Sequence, residues 1–346
     1  MASLAITVGD PAGIGPEIVI KAIARCRDRI AGKALRLAVI GCAEALDVAA
    51  DRIGAPCLQR MDHPDALDAG VIAIDPGKPV PRIGTVSAEG GRHAYLAIER
   101  AVQFALDGTV DGIVTAPLNK EALNLAGYAF AGHTDMLAHL TGVKGSVMML
   151  AHGNFRVTHL TTHVALADVP RLLTPERLGH TIDLTSDALR RLGIEKPRIA
   201  VAALNPHAGE GGIFGRQDID VTAPVVKKYR DSGLDVDGPL PGDTVFVKLR
   251  GGRYDAVVAM YHDQGHIPVK LLGFHTNPQT GAWEELNGVN VTLGLPIIRT
   301  SVDHGTAFDI AGTGVANADS LVEAIDYAVA LAGSRRPPAA APQSGA

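Results

Sequence analysis

Short apolar runs alternate along this chain with longer segments whose apolar residues recur every three or four positions, and that alternation restricts the fold more than any motif does. Runs at 4–8, 35–40, 112–115, 147–150, 157–161, 199–204 and 256–260 read as buried strands. Segments 16–24, 43–53, 91–106, 175–192, 218–230 and 320–332 read as helices. Within 91–106, Ala94, Ala97, Ile98, Ala101, Val102 and Ala105 share one face, and Gly108 closes the segment. Thr174 sits where an N-cap belongs before 175–192, and Gly193 follows its end. The sequence therefore predicts an α/β fold on a largely parallel sheet with helices on both faces. Hydrophobic residues are 47% of the 346 and charged ones 20%, which supplies a sizeable core and excludes a disordered chain. That length suits about two domain-sized units. With no Ser/Gly linker between halves, any division has to be made from discontinuous segments. The final stretch, 334–346, reads as a disordered tail.

A net charge of −5 argues against nucleic acid or an anionic membrane surface as partner. No stretch approaches the ~20 apolar residues of a membrane span, and the N-terminus lacks the basic flank of a signal peptide. Cys26, Cys42 and Cys57 form no CxxC pair and are expected to be small buried hydrophobes in a reducing compartment. The expected location is cytoplasmic.

Common catalytic signatures are missing: no GxGxxG at the first strand–helix turn, no P-loop, no GxSxG elbow. Two H-x-x-x-H pairs occur. The first, His159/His163, lies on strand-like sequence, where such residues are roughly 13 Å apart and cannot share a metal. The second is His262/His266. More telling, three apolar runs each lead into a histidine: His163, His207, and His262 followed by Asp263. Ligand crevices in α/β sheets lie beyond the carboxyl ends of strands, so these groups point to a divalent metal site with open positions. Two further segments suit an anion: the Gly-rich loop 204–212, and His133-Thr134 ahead of a helical run. Capping and tight turns would explain the same residues. The run 289–312 scatters Asn290, Arg299, Asp303, His304, Thr306 and Asp309 among apolar residues, and each needs a partner if buried.

Five ordered segments resemble the 4-hydroxythreonine-4-phosphate dehydrogenases of vitamin B6 synthesis: G-D-P-A-G-I-G-P-E, A-G-H-T, L-N-P-H-A-G-E-G-G, M-Y-H-D-Q-G and G-L-P-I-I-R-T-S-V-D-H-G-T-A. The resemblance extends from about residue 4 to residue 332. The H-G-T-A-F-D-I-A-G stretch is also similar to the nucleotide loop of isopropylmalate and isocitrate dehydrogenases. It implies an isopropylmalate dehydrogenase-like fold, two α/β lobes around a central cleft, in a homodimer with shared active sites. The nucleotide-bearing lobe would be 1–130 plus 265–333, and 131–264 the metal and dimerisation lobe. Metal ligands would be His163, His207 and His262, the last reaching the partner's site. Substrate contacts would be His133, Thr134, Lys270, Asn290 and Arg299. Asp243, Asp263 and Lys120 match catalytic positions. His304, Gly305, Thr306, Ala307 and Asp309 would bind NAD or NADP, beside one divalent metal per site (zinc, magnesium or cobalt).

The reaction so implied oxidises and decarboxylates a phosphorylated small molecule. First in rank is 4-phosphohydroxy-L-threonine, giving 3-amino-2-oxopropyl phosphate. The alternative is D-threonate or D-erythronate 4-phosphate, giving dihydroxyacetone phosphate. A catalytically silent metal- or nucleotide-binding homologue and a metal-dependent hydrolase are the other classes. One departure from the family pattern is a longer stretch between Lys270 and Asn290, where N-P-Q-T-G flanked by Phe274 and Trp283 predicts an inserted hairpin beside the substrate contacts.

Overall fold

The computed structural model describes residues 1–75, 80–276, 278–279 and 283–333. The expected tail at 334–346 lies outside the described residues, as do Asn277, Thr280 and Gly281 of the expected hairpin turn.

The first strands in chain order are β1 (Ala2–Thr7), β2 (Leu35–Gly41), β3 (Ala69–Ala73), β4 (Gly112–Thr115), β5 (Val147–His152) and β6 (Phe155–His159). Then come β7 (Arg198–Ala202), β8 (Asp235–Leu240), β9 (Ala256–Ala259), β10 (Phe274–Thr276), β11 (Trp283–Leu286), β12 (Val289–Leu293) and β13 (Ile298–Val302). All but β10 and β11 join one sheet in the order β3-β2-β1-β4-β13-β12-β5-β6-β9-β7-β8. Neighbours are parallel except at three junctions in the middle, β13/β12, β12/β5 and β5/β6. Strands β6, β9, β7 and β8 therefore run opposite to β1–β4 and β13. The expected parallel sheet is present as two parallel halves joined through antiparallel strands. The hairpin predicted after Lys270 is there: β10 and β11 pair antiparallel, apart from the main sheet.

Helices cover both faces of each half. Beneath Gly15–Arg25, Ala43–Ile53 and Asp319–Gly333, the helix residues Ile18 and Leu321 share one core with Leu4, Ile6 and Leu37 of the strands. Ile98 of the helix Ala88–Leu106 shares a second core with Ala5, Ala38 and Ile113 of the strands. In the other half, Leu178, Ile182 and Leu189 of the helix Pro175–Arg191 cover Ile199, Val201 and Val258. The helices Gly242–Arg250 and His262–Gly273 bury Val245, Leu249 and Val269 against Val157, Ala200 and Val257. Each fully buried Leu, Ile or Val contributes roughly 1.5–3 kcal/mol before entropy is counted. Thr174 and Ser87 cap their helices, the hydroxyls accepting from the Arg177 and Gly90 amides. Gly91 lets two helices meet, since a Cβ there would lie 2.0 Å from the Ala122 carbonyl oxygen.

The helix His133–Thr141 packs Met136 and Leu137 into the first half, and the helix His262–Gly273 packs Val269 onto the second. Cys26 and Cys42 are buried as expected, but Cys57 is exposed, placed after the helix Ala43–Ile53 with no strand to cover it. No helix among the described residues is long and apolar enough to cross a membrane.

Candidate active site

A cavity of about 320 Å³ opens over the middle of the sheet, where the two halves join. Its floor is the sheet face itself: Thr115 of β4, Arg299 and Ser301 of β13, Asn290 of β12 and Met148 of β5. Around it stand Lys120, His133, Thr134, His163, His262 and Lys270. Every expected substrate contact is thus in one place.

Arg299 decides what the cavity holds. It is 2% exposed, and its Nη1 and Nη2 donate to the Thr292 and Thr115 hydroxyls at 2.9 Å each. Its Nε has no partner, and no carboxylate pairs with it among the described residues. Burial pulls its pKa down to about 9, so at neutral pH a buried cation faces the cavity uncompensated. Such a charge is costly unless an anion joins it. Asn290 Oδ1 and His133 Nε2 are also buried without partners. Burial first, and the Arg299 charge second, hold the His133 pKa well below the usual imidazole range.

The helix His133–Thr141 starts at Gly132, with no side chain capping it. Thr134 is therefore not the N-cap, and the first-turn amides at His133 and Thr134 lack intrahelical acceptors. Opposite, the Lys270 ammonium lies 3.4 Å from Asp303 Oδ2 and 4.7 Å from the centre of the Phe274 ring. Asp303 is held above the usual carboxylate range by burial, which outweighs Lys270.

Of the three expected metal ligands, His163 and His262 lie together, ring centres 5.8 Å apart. Two imidazoles sharing a tetrahedral ion at ~2.1 Å have centres ~5–6 Å apart, so this pair fits a metal. His262 Nδ1 lies 2.7 Å from Asp263 Oδ1. That fixes the tautomer with a bare Nε2, the arrangement a metal ligand requires. Burial, and then the charge of nearby Lys120, lower the His163 pKa and favour its neutral form. His207 does not line this cavity, and no group of three metal-binding side chains gathers among the described residues. Within one chain, then, His262 lies beside His163, and His207 stands away from both.

His207 is exposed on a loop of unusual shape, where five successive residues from His207 to Gly211 have positive φ. For non-glycine residues this costs roughly 1–3 kcal/mol each. Asp218, fully buried, anchors the loop by accepting from the Leu204 and Asn205 amides at 2.9 Å. Sequence reasoning missed Asp218, although an acid at the start of a helix after a Gly-rich loop was the available signal. This loop, expected as an anion cradle, lies outside the cavity. Asp243 is exposed at the start of Gly242–Arg250 and also stands apart. Asp263 touches His262 but does not line the cavity. Lys120 lines the cavity at the head of its helix.

Of the expected nucleotide residues only His304 lines the cavity; Gly305, Thr306, Ala307 and Asp309 lead away from it. The Thr306 carbonyl accepts from the Ile14 amide at 3.0 Å, and Gly13 has no Cβ because one would come within 2.8 Å of Thr306 O. The G-D-P-A-G-I-G turn is thus the seat of the H-G-T-A-F-D loop. Ala307 has φ +42°, and Asp309 is exposed.

Residues 25–328 match the family of pyridoxal phosphate biosynthetic protein PdxA. A protein of Bradyrhizobium diazoefficiens, named provisionally as a D-threonate 4-phosphate dehydrogenase, is 65% identical over 95% of this chain and 96% of its own. The D-threonate 4-phosphate dehydrogenase of Cupriavidus necator is 45% identical over 96% of this chain and 98% of its own. A crystal structure of 4-hydroxythreonine-4-phosphate dehydrogenase from Klebsiella pneumoniae superposes with a TM-score of 0.80 at 44% identity, covering 96% of this chain and all of that one. With the fold, the motifs and near full-length relatives in agreement, this chain belongs to the PdxA family and is a dehydrogenase.

Proposed function

We propose that the protein oxidises D-threonate 4-phosphate, with D-erythronate 4-phosphate as close second, at the C3 hydroxyl and decarboxylates the product to dihydroxyacetone phosphate. The observation that carries the anionic substrate is Arg299, a buried cation facing the cavity without a counter-charge. The relative at 65% identity carries the choice of acid, and it moves 4-phosphohydroxy-L-threonine from first place to behind both hydroxy acids.

His163 and His262 would hold a divalent cation, with His207 supplied by a second copy of the chain. When bound, the metal supplies Lewis acidity and NAD, or NADP, a hydride acceptor beside His304. Arg299, Lys270 and the first-turn amides at His133 and Thr134 would hold the phosphate and carboxylate ends. Asp263 keeps His262 in its ligand tautomer. Lys120, which lines the cavity close enough to His163 for its charge to act there, is the group best placed to exchange a proton with the substrate. Oxidation at C3 yields a 3-oxo acid; the C1–C2 bond then breaks, releasing CO₂ and leaving an enolate to be protonated.

The dimer reading rests on two observations. His207 and Asp243 are exposed outside the cavity, and exposed apolar side chains accompany them: Phe214, its ring centre 6.4 Å from that of His207, with Ile213 next to it, and Val247 one turn on from Asp243 in its helix. The lobe bearing the nucleotide would be 1–130 plus 265–333, and 131–264 the other, with the helices His133–Thr141 and His262–Gly273 at their border. The test is a panel of four-carbon acid 4-phosphates with NAD and a divalent metal, following NADH and dihydroxyacetone phosphate. A kcat/KM higher for 4-phosphohydroxy-L-threonine than for both hydroxy acids would overturn the substrate choice.

A further inference from the structure

The helix His262–Gly273 turns three side chains toward the cavity one turn apart: His262, His266 and Lys270. The proposed function gives the first to the metal and the last to the substrate, and leaves His266 without a task. His266 is 7% exposed, stacked on the His262 ring at 3.6 Å between centres and 13° between planes. On another side it meets His159, ring centres 4.6 Å apart.

Its hydrogen bonding is one-sided. His266 Nδ1 lies 2.9 Å from the His262 carbonyl oxygen. A carbonyl only accepts, so Nδ1 carries the hydrogen and Nε2 presents a lone pair. Nothing among the described residues donates to that nitrogen. Nor does stacking leave it free to join His262 on a metal. Nitrogen lone pairs lie in the ring plane, so an ion in the plane of His262 would sit ~3.6 Å off the plane of His266, far more than a ~2.1 Å bond allows.

We propose that His266 Nε2 accepts a hydrogen bond from a hydroxyl at C2 of the substrate, and so selects acids that carry a donor there. This rests on the reading of the site as one for a four-carbon hydroxy-acid phosphate. In such an acid C2 lies between the C3 hydroxyl, which belongs at the metal histidines, and the C1 carboxylate, which suits Lys270. His266 lies between those two residues on the same helix face. A 2-oxo acid offers only lone pairs to the imidazole nitrogen, and a 2-deoxy acid offers nothing.

The test compares D-threonate 4-phosphate with its 2-deoxy analogue, 3,4-dihydroxybutanoate 4-phosphate, on wild type and His266→Phe, both loaded with metal. Phenylalanine keeps the stacking and removes the acceptor; His266→Met is a second apolar variant should it fold poorly. Wild type is expected to prefer the C2 hydroxyl by about 10- to 100-fold in kcat/KM, and His266→Phe to lose that preference while falling on D-threonate 4-phosphate alone. Metal affinity, measured by chelator competition, is expected to be unchanged. A variant that discriminates like wild type, or loses metal affinity tenfold or more, overturns the assignment. If wild type turns over neither hydroxy acid, the proposed function fails first and visibly, and this inference falls with it.

Discussion

Replacing Arg299 by Met should make the ligand-free protein more stable while removing its hold on a phosphorylated acid. The guanidinium is 2% exposed and rests only on two threonine hydroxyls. Burial lowers its pKa from 12.5 to about 9. At 1.36 kcal/mol per unit, a fall of that size is about 5 kcal/mol set against the folded state. Its sign follows from linkage: the folded pKa is below the unfolded one, so the cost is complete at any pH below about 9 and disappears only above it. Methionine removes the charge and fills much of the space, but leaves the Thr115 and Thr292 hydroxyls without a donor at about 1 kcal/mol each. The net expectation is a gain of about 2–3 kcal/mol, or roughly 3–4 °C in Tm for a chain of this size. Thermal unfolding followed by circular dichroism measures it, with and without D-threonate 4-phosphate. Saturating substrate, at ~100 times Kd, should raise wild-type stability by about 2.7 kcal/mol and the variant's hardly at all. A ligand-free Arg299→Met protein that melts several degrees below wild type would refute the reasoning, because it would mean the guanidinium is an internally compensated strut.

Three other experiments test the division of the histidines, the His262 tautomer and a buried carboxylate. Mixing inactive His207→Ala with inactive His163→Ala protomers should restore partial activity, whereas His262→Ala with His163→Ala should not; the reverse pattern, with subunit exchange confirmed, would show that the histidines are divided differently. Asp263→Asn should weaken metal binding about 10- to 100-fold, read by chelator competition, since the carboxylate that fixes the His262 tautomer is gone; an unchanged affinity would count against that role. Burial raises the Asp10 pKa from 3.8 to about 6, so its ionised form costs roughly 3 kcal/mol, fully imposed above pH 6 and relieved as pH falls toward 4. Asp10→Asn should therefore stabilise the protein at pH 7–8 and flatten its stability across that acid window, and a denaturant series showing wild-type pH dependence in the variant would contradict this.

How much of this was legible from the residues follows from where their pattern is regular. Strands β1, β2, β4, β7 and β9 read as strands because both their faces are buried, so their sequences are continuous apolar runs. Strand β8, with its proline and two aspartates at the sheet edge, does not. Strands β12 and β13 hide for a different reason: Asn290, Thr292, Arg299, Thr300 and Ser301 break the apolar pattern, and four of these form the cavity floor or hold it. The histidines show the same split between local and global information. That each follows a strand is written locally. Which two meet is set by strand order, since β9 lies between β6 and β7 in space although it follows both in the chain. His262 is thereby carried next to His163, and His207, one strand farther out, is displaced from the site its own chain forms. No spacing in the sequence encodes that crossover. The polar residues that defeat strand recognition at 289–303 are thus better evidence for the site than the motifs that passed it, because a core strand tolerates an unpaired Arg299 only where something from outside is to be bound.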